Sequence, residues 1–172
     1  MKDIFVISDT HFGHQLMTTV LTDHGQRLRP WDTTDEMDEE LIRRWNSVVT
    51  PSDKVYHLGD VFFPRKGRML LSRLNGDKVL IRGNHDGHPI KDYLMGFRDI
   101  RALHVLDGVI MTHVPIHEQS LSRWKGNIHG HLHEHRILDS RGNLDLRYNT
   151  VCVEHINYTP KEWSVVRSEL VA

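Results

Sequence analysis

Cysteine is nearly absent from this 172-residue chain, where Cys152 stands alone. No disulfide can close within the chain, and a zinc site built on several thiolates is excluded. That usage suits a reducing compartment, and a cytoplasmic location is expected. Long apolar runs are missing as well. The longest, Ile4-Phe5-Val6-Ile7, falls far short of the roughly 20 residues a membrane helix needs, and no signal-peptide apolar region is visible. Neither sign of charge dominates: 22 Lys and Arg face 23 Asp and Glu, for a net charge of −1. A globally basic nucleic-acid binder is therefore disfavoured, although a local basic patch is not. Repeats, low-complexity tracts and flexible linkers are also lacking, so one domain over 1–172 is expected. With 38% hydrophobic and 26% charged residues, the composition excludes a disordered or coiled-coil chain. What is abundant is histidine, at 14 residues. Many imidazoles beside one thiol point to a metal site of nitrogen and oxygen donors.

The pattern predicts an early α/β alternation and a strand-rich second half. Asp3 to Ser8 reads as a buried strand. Thr33-Thr34-Asp35-Glu36 has capping-box spacing, and Met37, Leu41, Ile42, Trp45, Val48 and Val49 recur at helical spacing, so 34–49 is an amphipathic helix. Strands are expected over Lys54–Leu58 and Lys78–Arg82, with a helix over Arg68–Leu74 between them. Ile100–Leu106 and Val109–Thr112 flank Asp107-Gly108, a hairpin signal. Asn127–His133 and Leu146–Glu154 read as further strands. Thr159-Pro160-Lys161-Glu162 resembles a second capping box opening a C-terminal helix. This order argues for a mixed sheet, or two packed sheets, with helices outside.

Five short segments carry the chemistry: Asp9-Thr10-His11, Gly59-Asp60, Gly83-Asn84-His85-Asp86, His113, and Gly130-His131-Leu132-His133. Three of them follow predicted strands, and strand ends on one sheet edge are where loops gather into a site. Asp9 with His11, and His131 with His133, stand two apart, a spacing that puts side chains on one side of an extended chain. Oxygen and imidazole donors together suit Mn, Fe, Zn, Ni or Co better than Mg or Ca. The set is too large for one ordinary ion and suits two that share a carboxylate.

The ordered series D-x-H, G-D, G-N-H-D, H, G-H-x-H resembles the calcineurin-like metallophosphoesterase superfamily, in a small, compact branch. The resemblance spans residues 9 to 133, and no core element of the pattern is missing. It implies an α/β fold of two mixed β-sheets packed as a sandwich and flanked by helices. It implies that Asp9, His11 and His133 hold one metal, that Asn84, His113 and His131 hold a second, and that Asp60 bridges both. His85 would act as a catalytic acid or charge stabiliser near the phosphate, with Asp86 orienting it. The implied cofactor is a pair of divalent ions, manganese first, with Fe, Ni, Zn or Co as alternatives. Two such ions against two carboxylates leave a formal charge of about +2, which draws in phosphate, and they lower the pKa of a shared water so that hydroxide attacks near neutral pH.

The implied activity is hydrolysis of phosphodiester or phosphomonoester bonds in a small phosphate ester of nucleotide type. A nuclease or nucleic-acid end-processing phosphatase on the same site, and an inactive binding scaffold of the same fold, are the alternatives. No membrane partner is expected. His14, Arg29 and His117 are candidates for substrate contact, Arg29 because an aromatic, Trp31, stands near it in a loop. His24, His88, His104 and His155 read as solvated, His57 as a buried hydrogen-bonded imidazole, His129 and His135 as supports, and Cys152 as a small core residue. The stretch His131-x-His133-Glu134-His135 has a superficial likeness to metallo-β-lactamase-like hydrolases, but too little chain follows it to supply their later ligands.

Overall fold

A computed structural model describes residues 2–171. Strands β1 (Ile4–Ile7), β2 (Lys54–His57), β3 (Asp77–Ile81) and β4 (Asp99–Arg101) lie parallel in the order β4-β3-β2-β1. The apolar residues of β2 and β3, with Phe5, Val6 and Ile7 of β1, are buried on both faces, as a covered parallel sheet requires, and only Ile4 and Ile100 at the margins are partly buried. A short antiparallel strand, β9 (Lys161–Glu162), closes the edge beside β1. The second sheet runs β5 (His104–Leu106), β6 (Val109–Met111), β7 (Asn127–His129), β8 (Tyr148–Thr150), parallel from β6 onward. Val6, Ile7, Val55 and Val79 of the first sheet share one apolar cluster with Val109, Met111 and Ile128 of the second. The expected pair of mixed, packed sheets flanked by helices is thus what the chain forms. Among the described residues no helix is long and apolar enough to cross a membrane.

Helix α1 (Thr34–Val48) starts as its capping box predicts: the Glu36 N–H donates to Thr33 Oγ1 at 3.2 Å, and the Glu36 carboxylate accepts from the Thr33 N–H at 3.1 Å. It buries Met37, Leu41, Ile42 and Trp45, while Val48 is left exposed. The Asp107-Gly108 turn also forms as predicted, with φ values of 53° and 84° that suit a tight hairpin between β5 and β6.

Five expected elements differ from what forms. The strand expected over 100–106 is two strands in different sheets: β4 pairs with β3, and β5 pairs with β6. The helix expected over 68–74 is a 3-10 segment, Arg65–Arg73. Gly67 lies within it because a Cβ there would stand 2.8 Å from the Phe12 carbonyl oxygen, so the segment is pressed against the chain after β1. The strands expected to reach His133 and Glu154 stop at His129 and Thr150. The second capping box does not form. Lys161 and Glu162 pair with Val6 and Phe5, sheet hydrogen bonds take the place of capping, and α3 (Trp163–Ser168) begins after them with no side-chain cap. A one-turn helix, α2 (Ile90–Tyr93), was not signalled by the sequence pattern.

Candidate metal centre

Because β1, β2 and β3 are parallel, and β6, β7 and β8 are parallel, the loops after their C-terminal ends gather at one edge of each sheet. Backbone hydrogen bonds knit these loops together. The N–H groups of Asp9 and His11 donate to the carbonyls of Gly59 and Asp60, at 2.9 and 3.0 Å. Ser8 N–H donates to the Val151 carbonyl of the other sheet at 2.9 Å, and Gly130 N–H donates to the His113 carbonyl at 2.9 Å. Gly130 allows the loop after β7 to lie close against the end of β1, since a Cβ there would collide with Ser8 Oγ and Asp9 Oδ2.

These loops bring two clusters together. One ligating atom from each of Asp9, His11 and His133 lies within 4.8 Å of the others, and so does one from each of Asp60, His113 and His131. Asp60 Oδ2 stands between the clusters, 3.6 Å from His11 Nε2 and 3.4 Å from His113 Nε2. Asn84 joins the second cluster, with Oδ1 2.8 Å from His113 Nε2.

The same-side argument for residues two apart fails here. Asp9, His11, Asp60, His131 and His133 have φ of 60°, 49°, 56°, 74° and 48°, left-handed rather than extended. Tight left-handed turns aim these side chains inward. For non-glycine residues that conformation costs on the order of 1 kcal/mol or more each, and such strain clusters at functional sites.

The donor set suits cations. Asp9 Oδ1 and both ring nitrogens of His11 are buried without a hydrogen-bond partner. His113 Nδ1 donates to the Leu58 carbonyl at 2.7 Å, which leaves the Nε2 lone pair facing the oxygens of Asn84 and Asp60. His133 Nδ1 donates to Glu154 Oε1 at 3.2 Å, which turns its Nε2 toward Asp9 Oδ1 at 3.9 Å. Lone pairs confronting lone pairs in a buried place call for positive charge between them. The electrostatics agree. Burial opposes protonation of His113, yet the hydrogen bond and charge of Asp60, with the charge of Asp9, raise its pKa above the usual range. Burial opposes protonation of His133 too, and Glu154 outweighs it. His11, buried and surrounded by Arg29 and other imidazoles, is pushed well below. Burial raises the Asp9 carboxyl.

The structure also corrects two sequence-based roles, those of Asp86 and Arg29. Asp86 does not touch the His85 side chain. Its carboxylate accepts the N–H groups of Asp60, Val61 and Gly83 at 2.8–3.0 Å and so ties the β2 and β3 loops together. Arg29 is no surface substrate contact: its side chain is fully buried, with donors on the carbonyls of Asp9 and Thr10 and on Glu154. His117 is exposed and caps a 3-10 turn, where its Nδ1 accepts from Gln119 N–H at 3.3 Å. His14 does stand beside the centre, its ring 5.4 Å from that of His11. His85 is at the exposed rim, its ring 5.7 Å from His11, and its N–H donates to Asp60 Oδ1 at 2.9 Å.

Two further residues belong to the site. Cys152 Sγ donates to Asp9 Oδ2 at 3.2 Å, so it is more than core filling. Glu154 holds His133 and is itself held by Arg29; burial opposes its ionisation, but Arg29 and His133 bring its pKa to about 2. A lone carboxylate following Val151-Cys152-Val153 was the available sign of a buried ion pair.

No family model matches the chain. Among solved structures, the protein of unknown function AQ665 from Aquifex aeolicus has the same fold, with a TM-score of 0.68 at 22% identity over 98% of this chain and 99% of that one. The Gene 66 protein of Mycobacterium phage L5 is 35% identical over 96 residues, 52% of this chain and 43% of its own. The uncharacterized protein MJ1445 of Methanocaldococcus jannaschii is 34% identical over 166 residues, 93% of this chain and 86% of its own. With that identity sustained over nearly its whole length, this chain belongs to the MJ1445 family.

Proposed function

We propose that this protein is a dinuclear metal-dependent phosphoesterase of the calcineurin-like kind, hydrolysing phosphodiester or phosphomonoester bonds. The observation that carries this reading is the placement of Asp60 Oδ2 within 3.6 Å of both His11 Nε2 and His113 Nε2, one from each cluster. A single carboxylate oxygen facing two sets of lone pairs is the arrangement two neighbouring cations need. On this reading Asp9, His11 and His133 hold one cation, Asn84, His113 and His131 the other, and Asp60 both.

When bound, two divalent ions supply a water of lowered pKa and positive charge for the phosphate oxygens. The chain's own groups do the rest. Glu154 and Leu58 fix which nitrogen His133 and His113 present, and fixed ligands cost no reorganisation. His85, exposed at the rim and tethered through its N–H to Asp60, offers an imidazole N–H to the departing oxygen. Its exposure leaves it free to meet substrate.

The test is metal content and turnover measured together. After manganese loading, elemental analysis should find about two ions per chain, and bis-p-nitrophenyl phosphate or p-nitrophenyl phosphate should be hydrolysed. Asp60→Ala should lose ions and turnover together, whereas His85→Ala should lower turnover with the ions retained. Only trace metal after loading would sink the reading.

A further inference from the structure

Next to the His11 side of the centre the surface opens into a groove of about 590 Å³, with Gly13, His14, Leu16, Phe63, Pro64 and Lys66 among its walls. His14 joins groove and centre. Its ring is 5.4 Å from that of His11, and it lies nearly parallel to the Phe63 ring, with 4.1 Å between centroids and 14° between planes. Phe63 is 46% exposed although it stands one residue beyond the fully packed Phe62. Its backbone is fixed: its N–H donates to the Phe12 carbonyl at 3.3 Å, and its own carbonyl accepts from His88 Nε2 at 2.7 Å. The His85 ring stands edge-on to Phe63, with 5.9 Å between centroids, so the half-exposed ring lies between groove and centre. A held aromatic ring that keeps this much of its surface exposed is a platform for one more planar ring. The rim adds charge. Arg65 and Arg68 are both tied to Asp92, whereas Lys66 has no carboxylate partner among the described residues.

Resting on the phosphoesterase reading, we infer that this groove seats the nucleoside of a nucleotide-type ester, its base stacked on the exposed part of the Phe63 ring and Lys66 facing a flanking phosphate. Phe63 is then a specificity-determining residue. Stacking accepts any base, so the preference is for a planar ring and not for a sequence. The proximity of His14 to both His11 and Phe63 lets an ester whose phosphorus is at the centre lay its substituent along the groove without crossing the rest of the surface.

Calorimetric titration in manganese buffer compares thymidine 5′-monophosphate with methyl phosphate, which has the same head group and no ring. Wild type should bind the nucleotide about tenfold more tightly. Phe63→Leu, which keeps apolar bulk without a π face, should abolish that preference, and Phe63→Trp should keep it. Equal binding of the two by wild type, binding of neither, or an undiminished preference in Phe63→Leu overturns the groove assignment. A parallel assay compares kcat/KM for the p-nitrophenyl esters of thymidine 5′-phosphate and methyl phosphate. A binding preference without turnover of either ester keeps the groove and defeats the hydrolase reading. Equal turnover of both, with equal binding, keeps the hydrolase and defeats the groove.

Discussion

How His133 stands is decided by two residues that no short motif reveals. Glu154 accepts from His133 Nδ1 and from the Arg29 side chain, which is itself fully buried. Glu154→Gln removes the charge that balances Arg29 and weakens the grip on His133. We expect the affinity of the Asp9-His11-His133 cluster for manganese to fall about 10- to 100-fold, read by competition with a chelator, while the other cluster is less affected. An unchanged pair of affinities would mean Glu154 is only a structural partner of Arg29. The contrast explains what was legible at this scale. Asp9, His11, Asp60, Asn84, His131 and His133 lie in compact D-x-H, G-D, G-N-H-D and G-H-x-H words, where spacing itself is the signal. Arg29 and Glu154 are 125 positions apart, and only the fold brings them together. The same limit misassigned Asp86: a carboxylate next to His85 reads as its partner, yet the backbone turns it onto three N–H groups instead.

Elements were legible where local chemistry and tertiary packing agree. In α1 the capping box and the apolar spacing give one answer, and Thr33→Ala should lower the unfolding free energy by about 1 kcal/mol in urea denaturation. Loss well under half of that would mean the Thr33–Glu36 exchange is not holding the helix start. Where the two conflict, packing prevails. The Thr159 to Glu162 stretch has the composition of a helix start, but the free edge of β1 recruits Lys161 and Glu162 as a strand. Arg68 to Leu74 has helical periodicity, but the contact of Gly67 with the Phe12 carbonyl draws a tighter 3-10 path. In the loops carrying Asp9, His11, His131 and His133 the i, i+2 spacing suggested extended chain, whereas left-handed residues make the turn. Nothing in an Asp or His codes for positive φ strongly enough to read that in advance.

At the scale of the whole molecule, one buried imidazole couples the fold to pH. His57 is fully buried; its Nε2 pairs with Thr10 Oγ1 at 3.0 Å and its Nδ1 accepts from Gly59 N–H at 3.2 Å. Burial lowers its pKa to about 3. The unfolded chain binds this proton as pH falls below about 6.5, while the folded chain does not. Stability is therefore lost on acidification between the usual histidine range and about 3, at up to ~1.4 kcal/mol per pH unit. His57→Gln should flatten that slope by about one proton between pH 6 and 4, seen by comparing denaturation curves of the two proteins. Parallel slopes would show that His57 is protonated in the folded state.

The centre is divided between the sheets: Asp9, His11, Asp60 and Asn84 follow strands of the first, and His113, His131 and His133 follow strands of the second. Neither half has a full complement of donors until the halves dock. Manganese should then leave the refolding rate nearly untouched and slow unfolding, a pattern stopped-flow measurements with and without the ion will reveal. Faster refolding would mean the donors meet before docking. The cations would serve as a late latch on a finished architecture, not as a seed around which it grows.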